Sequence, residues 1–211
     1  MIETIAYFTQ LPFWELIAVA SALIYVVLAA KENIWCWPAA LVSTVIYTVI
    51  FYDVYLWMES LLQVYYFGMA IYGWYCWYFM KGDRQQVQKI QTWPFIFHAK
   101  AISLLTIISM LIGWLMATYT PTDFPYIDST TTVFSVFTTY LVAKKVLENW
   151  LYWIVINAVS VYLYIEKGLE PTAALLVLYF FMALYGYFQW LAKFKQRKRN
   201  EVLTETSVIQ S

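Results

Sequence analysis

Asn149, Trp153 and Asn157 lie four residues apart in the run Glu148-Asn-Trp-Leu-Tyr-Trp-Ile-Val-Ile-Asn157. On a helix that spacing puts all three on one face. The two amides can each donate and accept hydrogen bonds, and the indole between them offers a flat face for stacking. A second stripe, Glu59, Gln63 and Phe67, has the same spacing, with Tyr66 three residues beyond Gln63. Such a set suits recognition of a flat, polar solute without covalent chemistry. The competing reading is structural, since an amide inside a hydrophobic helix often bonds a neighbouring helix. Either way it needs partners, because an unpaired buried amide costs a few kcal/mol, on the order of 2–7 by transfer estimates.

The groups that would support catalysis are missing. His98 is the single histidine, and no nucleophile–base pair or second metal ligand accompanies it. Cys36 and Cys76 are too few and too far apart for a metal cluster and read as small apolar fillers. No P-loop, Gly-rich dinucleotide turn or Ser-His-Asp set is present. No enzyme, metal or cofactor is therefore expected, and a formal net charge of zero gives no case for a nucleic-acid partner. Charged residues in mid-membrane are rare and usually functional. Here Glu59 comes closest, about a turn inside the third hydrophobic run, while Asp53, Glu148 and Glu166 fall at run ends. Without a titratable group at mid-depth, passage of a solute is expected to be uncoupled from ions.

These stripes sit in a chain that is 63% hydrophobic and 12% charged, against roughly 45–50% and 25% for ordinary globular proteins. That composition indicates an integral membrane protein, and 11 Trp and 19 Tyr suit the bilayer interface. The first residues lack a basic region, so no cleavable signal peptide is expected. Seven runs approach the roughly 20 residues a spanning helix needs: about 12–30, 35–52, 57–80, 95–118, 128–147, 150–166 and 171–192. Between the last two, Gly168 and Pro171 predict a tight turn, with Pro171 opening the next helix.

Positive charges fix an expected orientation. Lys193, Lys195, Arg197, Lys198 and Arg199 follow the last span and predict a cytoplasmic C-terminus. Counting back, Lys31, Lys81, Arg84, Lys89, Lys100, Lys144 and Lys145 also fall inside, and the N-terminus outside. The loop 119–127 has no Lys or Arg, and Lys167 alone falls on the outer side. The basic tail is expected to anchor topology, with weak anionic-lipid binding as a lesser role.

The chain also repeats itself. Tyr66-Phe-Gly-Met-Ala-Ile-Tyr-Gly-Trp-Tyr-Cys-Trp77 returns as Tyr179-Phe-Phe-Met-Ala-Leu-Tyr-Gly-Tyr-Phe-Gln-Trp190, identical at seven of twelve positions. Three spans on each side of a single linking helix make both halves run the same way, a parallel repeat about an axis along the membrane normal. The expected fold is thus all-α and membrane-integral, with seven transmembrane helices in a 3+1+3 arrangement. Residues 1–94 form the first three-helix bundle, 95–127 the linker helix and outer loop, 128–192 the second bundle and 193–211 a basic cytoplasmic tail. The linker should join the bundles without lining a pore. Tyr72-Gly73 and Tyr185-Gly186 are expected at close helix contacts, whereas Tyr66 and Tyr179 can line the seam between halves.

At Leu61-Leu-Gln-Val-Tyr-Tyr-Phe-Gly-Met-Ala-Ile-Tyr-Gly-Trp-Tyr-Cys-Trp77, at 148–161 and at Phe124-Pro-Tyr-Ile-Asp-Ser129, the chain resembles the PnuC family of vitamin transporters. The resemblance extends over both halves. It implies a SWEET-like fold, a homotrimer in the bacterial inner membrane, and facilitated diffusion of nicotinamide riboside for NAD synthesis. A cytosolic nicotinamide riboside kinase would trap the substrate. It further implies a substrate site that includes Gln63, Asn149, Trp153 and Asn157, with Tyr66 as a further candidate. Close relatives carry thiamine or other vitamins, so these stay as alternatives, and Glu59 does not decide between two cationic rings. A receptor or scaffold that moves no solute is the alternative of another class.

Overall fold

A computed structural model of the chain describes residues 13–53, 57–79 and 89–209. Expectations for the segment before Phe13, for Lys81 and Arg84, and for the extreme C-terminus lie outside these residues. Among them run seven helices: α1 (Phe13–Ala30), α2 (Cys36–Asp53), α3 (Trp57–Phe79), α4 (Phe95–Tyr119), α5 (Pro125–Ala143), α6 (Asn149–Glu166) and α7 (Glu170–Ile209).

In the first half α2 packs on both α1 and α3; in the second α6 packs on both α5 and α7. Across the seam, α1 meets α7 and α3 meets α5. That exchange is what a twofold axis between the halves requires. Helix α4 packs on α5 at the side of the assembly, where Gly113 lets Tyr126 approach. Positions in the two halves correspond at a separation of 113 residues, the separation of Glu32 and Lys145. Under that offset α2 and α6 start and stop together, as do the starts of α3 and α7. The C-terminal ends of α1 and α5 lie at the same end of the bundle, because Trp77 Nε1–H donates to Ala143 O and Trp190 Nε1–H to Ala29 O. The repeat is parallel.

By length and composition α1, α2, α4 and the apolar part of α7 can cross a membrane. Helices α3, α5 and α6 are more polar and do not meet that measure. Helix α5 buries Ser129, Ser135, Thr138 and Thr139. Three of these hydroxyls donate back to a carbonyl one turn earlier, at 2.6–2.8 Å, so these three are paired within α5 itself. The outer faces remain apolar: Leu104, Ile107, Leu111 and Trp114 on α4 are exposed, which suits lipid rather than water.

Three boundaries differ from expectation. The fifth helix starts at Pro125, with proline in its first turn, and stops at Ala143 rather than 147. Lys145 turns the chain there with φ 51°, and its repeat mate Glu32 does the same with φ 58°. Left-handed backbone disfavours a side chain by about 1–2 kcal/mol, so neither turn announces itself by a glycine. The segment ahead of α4 braces the second turn, with Gln91 N–H donating to Lys145 O and Leu147 N–H to Gln91 O. Finally, the segment expected as the tail, 193–211, continues α7 as helix as far as Ile209. Helix α7 runs 40 residues, about 60 Å at 1.5 Å per residue, well past a hydrocarbon layer of about 30 Å. Lys, Gln, Arg and Glu end the hydrophobicity but not the helix, since all are good helix formers.

Candidate functional site

A cavity of about 440 Å³ opens between the halves. Its walls come from α1, α2, α3, α5, α6 and α7, while the linker α4 contributes none. Most lining residues come as repeat mates, so the cavity straddles the axis. Trp37 with Trp150, Tyr66 with Tyr179, and Ala70 with Ala183 are pairs of identical residues. No lining residue carries a charge.

At the lysine-bearing end the cavity rests on four indoles. Trp37 meets Trp77 edge to face at 5.3 Å between ring centroids, Trp150 meets Trp190 likewise at 5.5 Å, and Trp77 and Trp190 lie 6.3 Å apart. Glycines seat this layer. A methyl on Gly186 would lie 2.6 Å from the Trp150 ring, and one on Gly73 would clash with the ring of Trp37. The close contacts expected at both Tyr-Gly pairs are therefore present. Below the indoles, Glu32 bridges Lys145 at 3.5 Å and Lys193 at 3.2 Å, and the Lys145 ammonium stands 4.4 Å over the Trp77 ring. Burial pushes the Lys145 ammonium below the ordinary lysine value, and Glu32 opposes that shift. Cys36 and Cys76 are buried free thiols in the same core.

At the opposite end Lys167 pairs with Asp128 at 2.9 Å, tying the α6–α7 turn to the start of α5. Gly168 supplies the left-handed position of that turn, φ 70°. Pro171 is the second residue of α7 rather than the first. Glu59 is exposed in the first turn of α3 and does not line the cavity.

Of the stripe residues, the structure brings Gln63, Tyr66, Trp153 and Asn157 to the cavity wall. Neither Gln63 nor Asn157 makes a side-chain hydrogen bond among the described residues. Asn149 behaves differently. It is fully buried at the start of α6, donates from Nδ2 to Val146 O at 2.6 Å, and stays outside the cavity. The α6 stripe thus divides, with its lower amide holding the α5–α6 turn and its upper two residues facing the space. Tyr25 of α1 and Thr44 of α2 line the cavity without having been expected there. Thr44 is the repeat mate of Asn157, so aligning α2 with α6 would have found it; Tyr25 carries no comparable signal. His98 sits apart, buried where α4 meets α6, with Nδ1 3.0 Å from the Tyr152 hydroxyl and Nε2 3.7 Å from Glu148. No group of three or more potential metal ligands occurs among the described residues.

Two matched helical halves around an uncharged, aromatic cavity, with lipid-facing exteriors, define a membrane transporter for a small solute. The chain belongs to the nicotinamide mononucleotide transporter family, whose pattern matches residues 12–192. It is 27% identical over 215 residues to the nicotinamide riboside transporter PnuC of Escherichia coli strain K12, covering 89% of each protein. It is 22% identical over 204 residues to the riboflavin/roseoflavin transporter RibM of Streptomyces davaonensis, covering 93% of each. Its fold is similar to the crystal structure of the vitamin B3 transporter PnuC, with TM-score 0.71 and 20% identity over 92% of this chain and 87% of that one.

Proposed function

We propose that this protein carries nicotinamide riboside down its gradient across the bacterial inner membrane. The observation that carries the reading is the uncharged cavity at the repeat axis, whose wall includes the Trp153 indole and the amides of Gln63 and Asn157. Nicotinamide riboside joins a cationic ring to a carboxamide and a polyhydroxyl sugar. An indole face can hold such a cation with about 1–2 kcal/mol, and the amides match the carboxamide and hydroxyls. Relatives named for nicotinamide riboside and vitamin B3 support the substrate. The relative named for riboflavin makes a flavin one competitor, and thiamine is the other.

The uncharged wall of the cavity supports uncoupled transport in this reading. The lysine-bearing end faces the cytoplasm in this reading, and the N-terminus lies outside. Net uptake then requires a cytosolic kinase to trap the substrate, and the working assembly is a homotrimer.

The test uses purified protein in vesicles. Labelled nicotinamide riboside should equilibrate across the membrane, and accumulate only when a kinase and ATP are enclosed. Accumulation driven by a proton or sodium gradient alone would sink the uncoupled mechanism. Tighter calorimetric binding of thiamine or riboflavin would sink the substrate. Binding without any flux would leave a receptor in place of a transporter.

A further inference from the structure

The cavity frame is twofold symmetric, but its binding groups are not. The frame pairs Trp37 with Trp150 and Tyr66 with Tyr179, identical residues on opposite sides. At the level where Trp153 projects from α6, the mate on α2 is Ala40, and both line the cavity. One turn further, the mate of Asn157 is Thr44, and both line the cavity. The Thr44 hydroxyl is committed to its own helix, at 2.9 Å from Ala40 O and 3.1 Å from Leu41 O. Across the axis from Gln63 stands the apolar Leu176.

We propose that Ala40 is a specificity-determining position, which by lacking an indole opposite Trp153 leaves room for the non-aromatic part of the ligand. This inference rests on the substrate reading above. A flat ring lies on Trp153 beside Asn157. The sugar then extends toward α2, into the space in front of Ala40, where Gln63 on the adjoining α3 supplies an amide. A second indole at position 40 would give a symmetric slot for one ring and exclude what is attached to it. Steric exclusion of this kind separates ligands that share a ring, because the shared part binds both sites alike.

The experiment compares nicotinamide riboside with the N-methylnicotinamide cation, which keeps the charged ring and carboxamide but has no sugar. Both are titrated calorimetrically into wild type and Ala40→Trp, with thermal unfolding as a check on folding. Ala40→Trp should weaken nicotinamide riboside by about 30-fold or more, on the order of 2 kcal/mol. N-methylnicotinamide should stay within about threefold of wild type or bind tighter, since a second ring face adds stacking. Equal loss of both probes in a folded variant overturns the inference, and so does unchanged nicotinamide riboside affinity. Should the indole prevent folding, Ala40→Leu applies the same test at smaller scale. A loss of about fivefold confined to the riboside supports the inference, and an equal loss of both overturns it. Failure of wild type to bind nicotinamide riboside overturns the substrate reading, and this inference with it. Binding by wild type without discrimination in the variants overturns the inference alone.

Discussion

Glu32 and Lys145 occupy the same position in the two halves, share a left-handed backbone conformation, and face each other as an ion pair across the axis. The contact joins the α1–α2 turn to the α5–α6 turn. Because Lys145 is almost wholly buried, at 3% exposure, the pair matters most when one member is lost. Removing one partner of a buried pair costs about 3–5 kcal/mol, whereas replacing both can be nearly neutral.

Glu32→Gln should therefore lower thermal stability by about 3 kcal/mol, and Glu32→Gln with Lys145→Met should recover most of it. Detergent-solubilised protein followed by thermal unfolding checks this, and an additive double variant would dissolve the pair.

A pH dependence follows from the same site. The fold holds Lys145 below the ordinary lysine value of 10.5. Between the lowered value and 10.5 the unfolded chain binds the additional proton, so this group makes stability rise with pH across that window. Glu32→Gln removes the carboxylate that lifts Lys145, which extends the window downward. The variant's deficit should be smaller at pH 9 than at pH 7, as read by unfolding midpoints. A deficit that grows with pH would reverse the sign of the argument.

The indole layer predicts a graded glycine series. Gly186→Ala and Gly73→Ala force a methyl into an indole and should destabilise by about 1–3 kcal/mol. Gly68→Ala meets nothing within 4 Å and should stay within about 0.5 kcal/mol.

Affinity and stability should separate along the α6 stripe. Trp153→Ala is expected to weaken nicotinamide riboside roughly 5- to 150-fold, a loss of about 1–3 kcal/mol, with Asn157→Leu comparable. Asn149→Ala should instead lower the unfolding midpoint and leave affinity within about twofold, because that side chain serves the turn. Calorimetry and unfolding on the same samples distinguish the two; weak binding by a stable Asn149→Ala protein would return that residue to the site.

A reporter fused after Ser211 should be active in the cytoplasm and silent outside. An external signal there would invert the proposed orientation.

Much of this architecture is legible in the chain because hydrophobic length and charge placement are strong signals. Seven runs were expected, and helices stand at all of them. The repeat was visible wherever aromatic side chains pack against glycine. Conformation without punctuation leaves no mark in the sequence: Glu32 and Lys145 turn the chain with no glycine or proline, so nothing in the sequence ends α5 at Ala143. The helix of α7 outlasts its apolar stretch, since a hydrophobic limit is not a helical one. Four-residue spacing puts Asn149, Trp153 and Asn157 on one face; Trp153 and Asn157 line the cavity, while Asn149, one turn nearer the helix start, bonds the turn. Spacing identifies a face, and depth decides what the face meets. Tyr25 lies on a helix of nearly unbroken hydrophobicity, where nothing distinguishes a wall residue from a lipid-facing one.

The glycine-seated indoles act within each half, Trp37 against α3 and Trp150 against α7. The indole N–H bonds of Trp77 and Trp190 and the Glu32 pair act between halves. These two kinds of contact tolerate displacement differently. Interlocked rings lose their attraction over a fraction of an ångström and have no substitute partner. Buried hydrogen bonds and ion pairs fix direction and register, and cost most when one partner is lost. Each half is thus locked by ring against glycine, while the two halves are joined by directional contacts that carry the polar groups of the seam.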